Sequence, residues 1–236
     1  MCPHRRCLQN LPGQEVYPMK PQMDLRQFRF SRLRDPQFRH LNLLAYWLLF
    51  GLAFLILERF SPVTEYHPVS CALDAYIPFL EIFLFPYLFW FVYLVGMHVY
   101  TAIYDVASFR RLMRFIIISY TLTTVIYILY PTCQELRPES FLRDNALTRF
   151  IAWFYTFDTH TNVCPSLHVI GSVAVACTAW NARGLNTPFW RVAFWAAAVL
   201  ISISTVFMRQ HSVVDVVLAV PVCILAAWLS RRKTES

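Results

Sequence analysis

The chain has 236 residues, of which 57% are hydrophobic, 17% aromatic and 15% charged. So apolar a composition excludes an ordinary soluble domain and predicts a single membrane-embedded domain. The formal net charge of +7 would suggest nucleic-acid binding in a soluble protein, but here the basic residues lie largely in segments that flank apolar runs. They are better explained as topology signals, and no nucleic-acid partner is predicted.

Six apolar runs have the length and composition of membrane helices, which need about 17 to 25 residues each. The predicted fold class is therefore all-α, a polytopic bundle of six transmembrane helices. Pro78, Glu81 and Pro86 interrupt the second run, so its first turns are expected to form an interfacial or re-entrant piece. The runs lie near residues 41–58, 76–100, 113–130, 166–182, 188–207 and 212–230.

The charge pattern divides the chain into a basic extension over 1–40, a membrane domain over 41–230 and a basic tail over 231–236. With six spans, the main arginine clusters fall on one side of the membrane, which the positive-inside rule makes cytoplasmic. Both termini are then cytoplasmic in a multi-pass protein of the plasma membrane. The alternative for the extension is an interfacial segment on anionic lipid headgroups, because Arg and Phe alternate in Phe28-Arg29-Phe30.

The long loop over 131–165, predicted on the outer side, holds Arg137-Pro138 and is followed by a helix start at Pro165-Ser166-Leu167-His168. Ser166 would serve as the N-cap of that helix, but capping leaves His168 without a role. A helix N-terminus that points free N–H groups out of the membrane also binds anions, and the Ser166 hydroxyl adds a donor. This segment is therefore a candidate anion site.

A second polar stretch, from Ser204 to Asp215, separates the last two apolar runs. Ser212 and Asp215 fit a capping box at the start of the sixth helix, which leaves Arg209 and His211 unexplained. The helical spacing of four lets Asp215 reach the His211 imidazole and fix its tautomer. A single histidine is expected to be structural, but two histidines and two arginines on one side predict chemistry on phosphate, with His211 as the nucleophile.

These segments, in this order, resemble the three-part signature of the type-2 phosphatidic acid phosphatase superfamily: Lys-x6-Arg-Pro, Pro-Ser-Gly-His and Ser-Arg-x5-His-x3-Asp. The resemblance covers roughly residues 76 to 230. It implies a membrane enzyme that acts on the phosphate group of a lipid. The Pro-Ser-Leu-His and Gln-His variants are most similar to the branch that includes inositol phosphorylceramide synthase-like proteins.

Three positions depart from the Lys, Gly and Arg of the family pattern, and they are Tyr130, Leu167 and Thr205. The two lysines of the chain, Lys20 and Lys233, are both predicted to be cytoplasmic, so no lysine is expected at an outer site. Arg137 and Arg209 must then supply most of the positive charge, with Arg209 in place of the family's arginine. Arginine suits this role because its planar fork binds two phosphate oxygens and stays charged.

The resemblance and the residue chemistry together imply two in-line displacements through a phosphohistidine. His211, oriented by Asp215, attacks phosphorus, while His168 protonates the leaving oxygen and later activates the acceptor. No metal and no cofactor is implied. The equatorial phosphate oxygens are expected to be stabilised by Arg137, Arg209, Ser166, Ser204 and the N–H groups near Leu167.

Three functions stay open at this point. Water as the acceptor makes a lipid phosphatase, which is the leading prediction, whereas an alcohol acceptor makes a headgroup phosphotransferase of the inositol phosphorylceramide or sphingomyelin synthase type. A non-catalytic lipid-binding or transport protein is the alternative from another class, because the family's Lys and Arg positions are altered.

Two further features of the outer loops are left undecided by the sequence. Cys71, Cys133 and Cys164 all map outside, where a disulfide is allowed in an oxidising compartment, but their pairing cannot be deduced. The aromatic segment 150–157 is too short to span the bilayer, and it is interpreted either as a lid over the site or as an interfacial anchor.

Overall fold

The computed structural model describes residues 20–60 and 63–232, except for the side chain of Arg232. Within these residues the chain is helical apart from its loops and one short parallel ladder, in which β1 (His67–Pro68) pairs with β2 (Thr132–Cys133). The α-helices are α1 (Ala45–Arg59), α2 (Leu84–Tyr104), α3 (Val106–Leu129), α4 (Ala146–Phe157), α5 (Leu167–Ala179), α6 (Pro188–Phe207) and α7 (Val213–Arg232).

The all-α membrane fold class is confirmed. Five helices of the described chain are long and apolar enough to cross a membrane: Arg39–Arg59, Glu81–Tyr104, Val106–Leu129, Pro188–Phe207 and Val213–Arg231. The remaining predicted span, 166–182, is α5, which has only 13 residues. At about 1.5 Å per residue it rises about 20 Å, less than the ~30 Å of a bilayer core.

Helix α2 begins later than the apolar run that predicted it. Pro78 and Glu81 lie before the helix, in extended chain and a 3-10 turn, and Pro86 lies in its first turn, where a missing N–H costs nothing. Helix α3 begins earlier than predicted, at Val106, because the Asp105 carboxylate caps it. The interrupted start expected for the second span is therefore present.

The described part of the predicted N-terminal extension packs against the bundle. The Gln22 backbone N–H donates to the Ile103 carbonyl near the end of α2 at 2.8 Å. Phe38 is fully buried. The rest of the extension, 1–19, and the end of the tail, 233–236, lie outside the described residues.

Helix α5 packs against α2, α3, α6 and α7. Small side chains on α5, among them Gly171, Ser172 and Ala174, let the neighbouring helices approach closely. Short connections between α2 and α3 and between α6 and α7 make these neighbours antiparallel. The start of α5 therefore lies at the same end of the bundle as the loops 63–83, 130–166 and 208–212, which we call the loop end.

Side chains and backbone join the three loops of the loop end. Besides the β1–β2 ladder, Cys133 forms a β-bridge with Thr161. Cys71, Cys133 and Cys164 are free thiols, so the outer disulfide that the sequence allowed does not form. Burial raises the pKa of the Cys164 thiol to about 12, which keeps it protonated and unreactive.

Candidate active site

His211 and Asp215 form a hydrogen-bonded pair at the loop end. His211 Nδ1 lies 3.0 Å from Asp215 Oδ2, and both side chains are buried. An ionised carboxylate only accepts hydrogen bonds, so Nδ1 carries the proton and Nε2 keeps a free lone pair. The pair arises locally, because Asp215 lies in the first turn of α7 and His211 stands four residues before it.

Asp215 also caps the helix on which it lies. Its Oδ2 accepts the Ser212 backbone N–H at 3.0 Å, which is half of the predicted capping box. The Ser212 hydroxyl accepts the Val214 N–H at 3.1 Å and donates to Asp74 Oδ2 at 2.6 Å. Asp74 in turn accepts the Val213 N–H at 2.9 Å. The start of α7 is thus capped by Ser212 and Asp215 at the helix itself and by Asp74 from the loop 71–77.

The buried Asp74 carboxylate is an anchor for the turn that carries His211. Burial raises the pKa of this carboxyl, but the hydrogen bonds from Ser212, Val213 and Cys71 together outweigh burial, and its pKa is lowered. A lowered pKa means that this anchor contributes fully to stability above about pH 4 and loses that contribution as the pH falls further.

His168 lies in the first turn of α5, facing His211. Its ring is held between Tyr87 and Trp90 of α2, with centroid distances of 4.5 Å to each. The His168 and His211 ring centroids are 5.7 Å apart. His168 Nε2 is buried and has no hydrogen-bond partner in the part of the chain that the structure describes. Such an atom costs free energy unless a ligand satisfies it.

The N-terminus of α5 carries a second unsatisfied group. Ser166 occupies the N-cap position, but its hydroxyl makes no capping hydrogen bond and is buried without a partner among residues 20–60 and 63–232. The Ser166 backbone N–H donates to the Asp215 carbonyl at 3.2 Å, and Tyr127 donates to the Pro165 carbonyl at 2.7 Å. The start of α5 is therefore fixed to α7 and α3, while its polar end stays available.

The two histidines line one cavity of about 330 Å³, the histidine pocket. Its polar lining includes Asp158, Thr161 and Asn162 from the loop before α5, and none of its described lining residues is Lys or Arg. Burial raises the pKa of the Asp158 carboxyl, although its hydrogen bond from Tyr87 acts in the opposite direction. Aromatic side chains make up most of the rest of the wall: Trp47, Phe50, Phe54, Tyr87, Trp90, Phe91, Tyr120, Tyr127, Phe154 and Phe157.

Arg137 lies behind this pocket rather than in its wall. Its guanidinium donates to the backbone carbonyls of Tyr155 at 3.0 Å and Thr159 at 2.9 Å. Its Nε donates to Gln210 Oε1 at 3.0 Å, and Gln210 Nε2 donates to Asp158 Oδ2 at 3.1 Å. Arg137 therefore reaches the pocket through Gln210, the residue next to His211.

Arg209 and Ser204 are not among the residues that line the histidine pocket. The Arg209 guanidinium donates to the carbonyls of Asp74, at 2.8 Å, and Ile77, and its backbone has a positive φ of 53°. The Ser204 hydroxyl donates to the Ile201 carbonyl within α6 at 2.6 Å. At the family's Lys position, Tyr130 is half exposed and stacks on His67 at 4.1 Å.

Glu58, near the end of α1, holds the loop that lines the pocket. Its carboxylate accepts from Thr161 Oγ1 at 2.8 Å and Asn162 Nδ2 at 2.7 Å, and also from Thr159. Asn162 has a positive φ of 51°, a conformation that asparagine tolerates better than most residues. Helix α1 thus supplies the Glu58 carboxylate that accepts hydrogen bonds from this loop, and it also supplies apolar side chains to the pocket wall.

The sequence profile of the PAP2 superfamily matches residues 111–235, more than half of the chain. The chain belongs to the PAP2 superfamily. This match spans all three motif segments, and PAP2 membership supports a phosphatase- or phosphotransferase-type lipid enzyme in a membrane. No curated protein and no solved structure gives a significant match. Placement in the inositol phosphorylceramide synthase-like branch stays a prediction.

Several residues of this PAP2 site were missed at the level of sequence. Asp74, Asp158 and Glu58 are isolated acidic residues in or beside predicted loops, and no periodicity or motif marks them. Gln210 had a signal, since it is part of the Gln-His variant of the third motif. The structure therefore brings His168, His211, Asp215 and Ser166 together as expected, and adds a second layer of loop residues around them.

Gly171 is a position where one methyl group would disturb this PAP2 site. A Cβ there would lie 2.8 Å from Tyr120 Oη and 3.0 Å from Trp90 Nε1. Gly171→Ala would push the Trp90 indole, which packs on His168, and we expect kcat/KM to fall by about 10²-fold because a small misplacement of a reacting group is costly. The fall in kcat/KM is measured from steady-state phosphate release.

Gly96→Ala is the matched control, because nothing lies within 4 Å of a Cβ added at that position of α2. It should keep the wild-type rate and gain slight helix stability. Equal rates for the two alanine variants would show that Trp90 does not position His168.

Proposed function

We propose that this protein is a membrane enzyme that hydrolyses a phosphate ester of a lipid through a phosphohistidine on His211. The observation that carries the proposal is the His211–Asp215 hydrogen bond at 3.0 Å, beside a pocket shared with His168. This arrangement gives a nucleophilic nitrogen with a fixed tautomer and a second imidazole within reach of the same phosphorus.

In the first step, the Nε2 lone pair of His211 attacks phosphorus. The bond from phosphorus to the lipid oxygen breaks, and His168 donates a proton to that oxygen, so the lipid leaves as an alcohol. Asp215 keeps the Nδ1 proton of His211 in place and stabilises the positive charge that develops on the ring. The product is an N–P bond on His211.

In the second step, water attacks the phosphohistidine on the opposite side of phosphorus. His168, now neutral, accepts a proton from that water, the N–P bond breaks, and inorganic phosphate leaves. His211 returns to its starting tautomer because Asp215 has held its Nδ1 proton throughout.

The phosphate oxygens would be held mainly by the start of α5. The Ser166 hydroxyl and the free N–H groups at Leu167 and His168 are donors there, and the helix dipole favours a negative charge. Arg137 would act on the phosphate indirectly, because it lies behind Gln210 and holds that side chain by a hydrogen bond. Arg209 and Ser204 would have to give up their present hydrogen bonds to touch phosphate, so we assign them positioning roles for the turn that carries His211.

An alcohol acceptor is the second candidate, favoured by the polar side of the histidine pocket. Asp158, Thr159, Thr161 and Asn162 line it, and a carboxylate beside hydroxyl and amide groups suits the hydroxyls of an acceptor better than it suits phosphate. Transfer to such an acceptor would leave the first step unchanged and replace water in the second.

The experiment is product analysis on the purified protein in detergent, with phosphatidate, a sphingoid phosphate and an isoprenoid diphosphate as substrates. Hydrolysis predicts inorganic phosphate that carries one oxygen from isotopically labelled water. Transfer predicts a new phosphodiester or phosphomonoester only when an alcohol is added. Binding without either product would support the non-catalytic alternative and overturn the proposal.

The active site is proposed to face the outer side of the plasma membrane. Arginines 110, 111, 114, 183 and 191 lie near the helix ends opposite the loop end. The positive-inside rule assigns such an end to the cytoplasm. A membrane-impermeant phosphatase substrate added to intact cells should then be hydrolysed without permeabilisation.

A further inference from the structure

A second cavity, the α1–α2 groove, runs along α2 and has a volume of about 580 Å³. Its wall on α2 includes Leu94, Val95 and Val99. Leu41, Leu44 and Trp47, before and at the start of α1, form the facing wall. Val95 and Val99 are each more than half exposed, so the groove opens sideways to the surroundings of the helix. In a membrane that side faces lipid.

The groove adjoins the histidine pocket. Trp47, Trp90 and Phe91 line both cavities, and Trp90 is the residue that packs on His168. A third cavity of about 440 Å³, between α6 and α7, is also apolar but shares no lining residue with the histidine pocket. The wall that it shares with the histidine pocket therefore distinguishes the α1–α2 groove from another apolar cavity of similar size.

Two of the three polar side chains at the junction are paired within the protein, whereas Trp90 Nε1 is buried without a hydrogen-bond partner among the described residues. Trp47 Nε1 donates to His98 Nε2 at 3.3 Å, and His98 Nδ1 donates to the Leu94 carbonyl at 2.8 Å. The Trp90 indole nitrogen lies on the α5 side, close to Gly171. The groove consequently presents hydrocarbon surface, which suits an apolar ligand without polar atoms.

The length of the groove suits a long hydrocarbon chain. From Phe91 to Ile103 the helix rises about 18 Å at about 1.5 Å per residue. Half of a bilayer core is about 15 Å deep, so the groove runs along the half of α2 away from the loop end. At the far end Met23 lines the groove, and its segment is bonded to the Ile103 carbonyl through Gln22, which closes that end.

We propose that the α1–α2 groove binds one long hydrocarbon chain of the substrate while the phosphate lies between His168 and His211. This inference rests on the proposed function and names its substrate class: a phosphate ester carried by a long, flexible hydrocarbon chain. Both walls lie outside residues 111–235, so the chain preference belongs to the part of the protein that the family profile does not cover.

Chain-length selectivity tests the groove. The substrates are hexadecyl phosphate and hexyl phosphate, and the variant is Val99→Trp, whose indole fills the groove at a distance from the histidines. We expect the ratio of kcat/KM for the long ester to that for the short ester to fall by about tenfold, because even a few methylene contacts in an apolar site discriminate at that level.

Val199→Trp is the matched control, because Val199 and Val99 are both 53% exposed valines on apolar cavities, and Val199 lines the cavity between α6 and α7. It should leave the ratio unchanged. An unchanged ratio for Val99→Trp, or an equal fall for both variants, would overturn the groove assignment.

Photolabelling separates failure of the groove from failure of the proposed function. A hexadecyl phosphate with a diazirine in the middle of its chain should label residues 91–103 of α2 or 41–47, and excess hexadecyl phosphate should prevent labelling. Labelling there without any turnover would support the groove and overturn the enzyme assignment. Turnover with labelling confined to α6 and α7 would support the enzyme assignment and overturn the groove.

Discussion

Replacement of His211 by alanine is expected to lower phosphate release by about 10⁴-fold or more, the loss seen when a covalent nucleophile is removed from a preorganised site. Wild-type protein quenched during turnover should carry phosphate that is stable to alkali and labile to acid, as an N–P bond is. The His211→Ala protein should carry none. Labelled phosphate on the denatured protein measures both.

His160→Ala is the control for this experiment. His160 is exposed in the same loop that lines the pocket, two residues after Asp158, and its side chain does not line the pocket. Its removal should leave both rate and labelling unchanged. Acid-labile phosphate on His211→Ala protein would contradict the nucleophile assignment and move it to another histidine.

Asp215→Asn is expected to reduce kcat by about 10² to 10⁴-fold with little change in KM. The amide keeps the shape of the carboxylate, and its oxygen can still accept the Ser212 N–H that Asp215 accepts at 3.0 Å. The same oxygen also faces His211 Nδ1 at 3.0 Å, so the tautomer is kept, but the neutral amide no longer stabilises a charged imidazole. A pH–rate profile distinguishes this role from a structural one, because a merely structural residue would change the amount of folded protein and leave the profile unmoved.

Asp74→Asn supplies the comparison for Asp215→Asn. It also neutralises a buried carboxylate bonded to Ser212, but this carboxylate does not touch His211. The variant should unfold at a lower temperature and keep most of its kcat per folded molecule. If Asp74→Asn and Asp215→Asn lost kcat equally, the assignment of Asp215 as the residue that stabilises the charged His211 ring would fail.

The parts of the site that sequence could predict are those set by local geometry. The His211–Asp215 contact follows from a helical spacing of four, and the position of Ser166 before His168 follows from a helix start. By contrast, Arg137 meets Gln210 and Asp74 meets Ser212 across long stretches of chain. Such contacts depend on how loops fold over the helix ends, for which a single sequence carries no periodic signal.

The helix lengths show the same limit. Apolar composition located a helix in each of the six predicted spans, but only five of these helices are long enough to cross a membrane, and the composition could not show that α5 is too short. The aromatic segment 150–157, which the sequence left undecided between a lid and an anchor, lies in α4. Some of its side chains line the pocket and others are exposed. Phe154 and Phe157 line the pocket, whereas Trp153 is exposed and does not.

The contact between Glu58 and the loop 159–162 shows that residues before the family profile help to hold the pocket. The family profile starts at residue 111, inside α3, yet the loop beside His168 and His211 is held by a carboxylate on α1. A chain shortened to the family boundary would keep every motif residue and lose the acceptor for two threonines and an asparagine. The smallest portion of this chain that keeps the loop 159–162 bonded as it is here therefore includes α1.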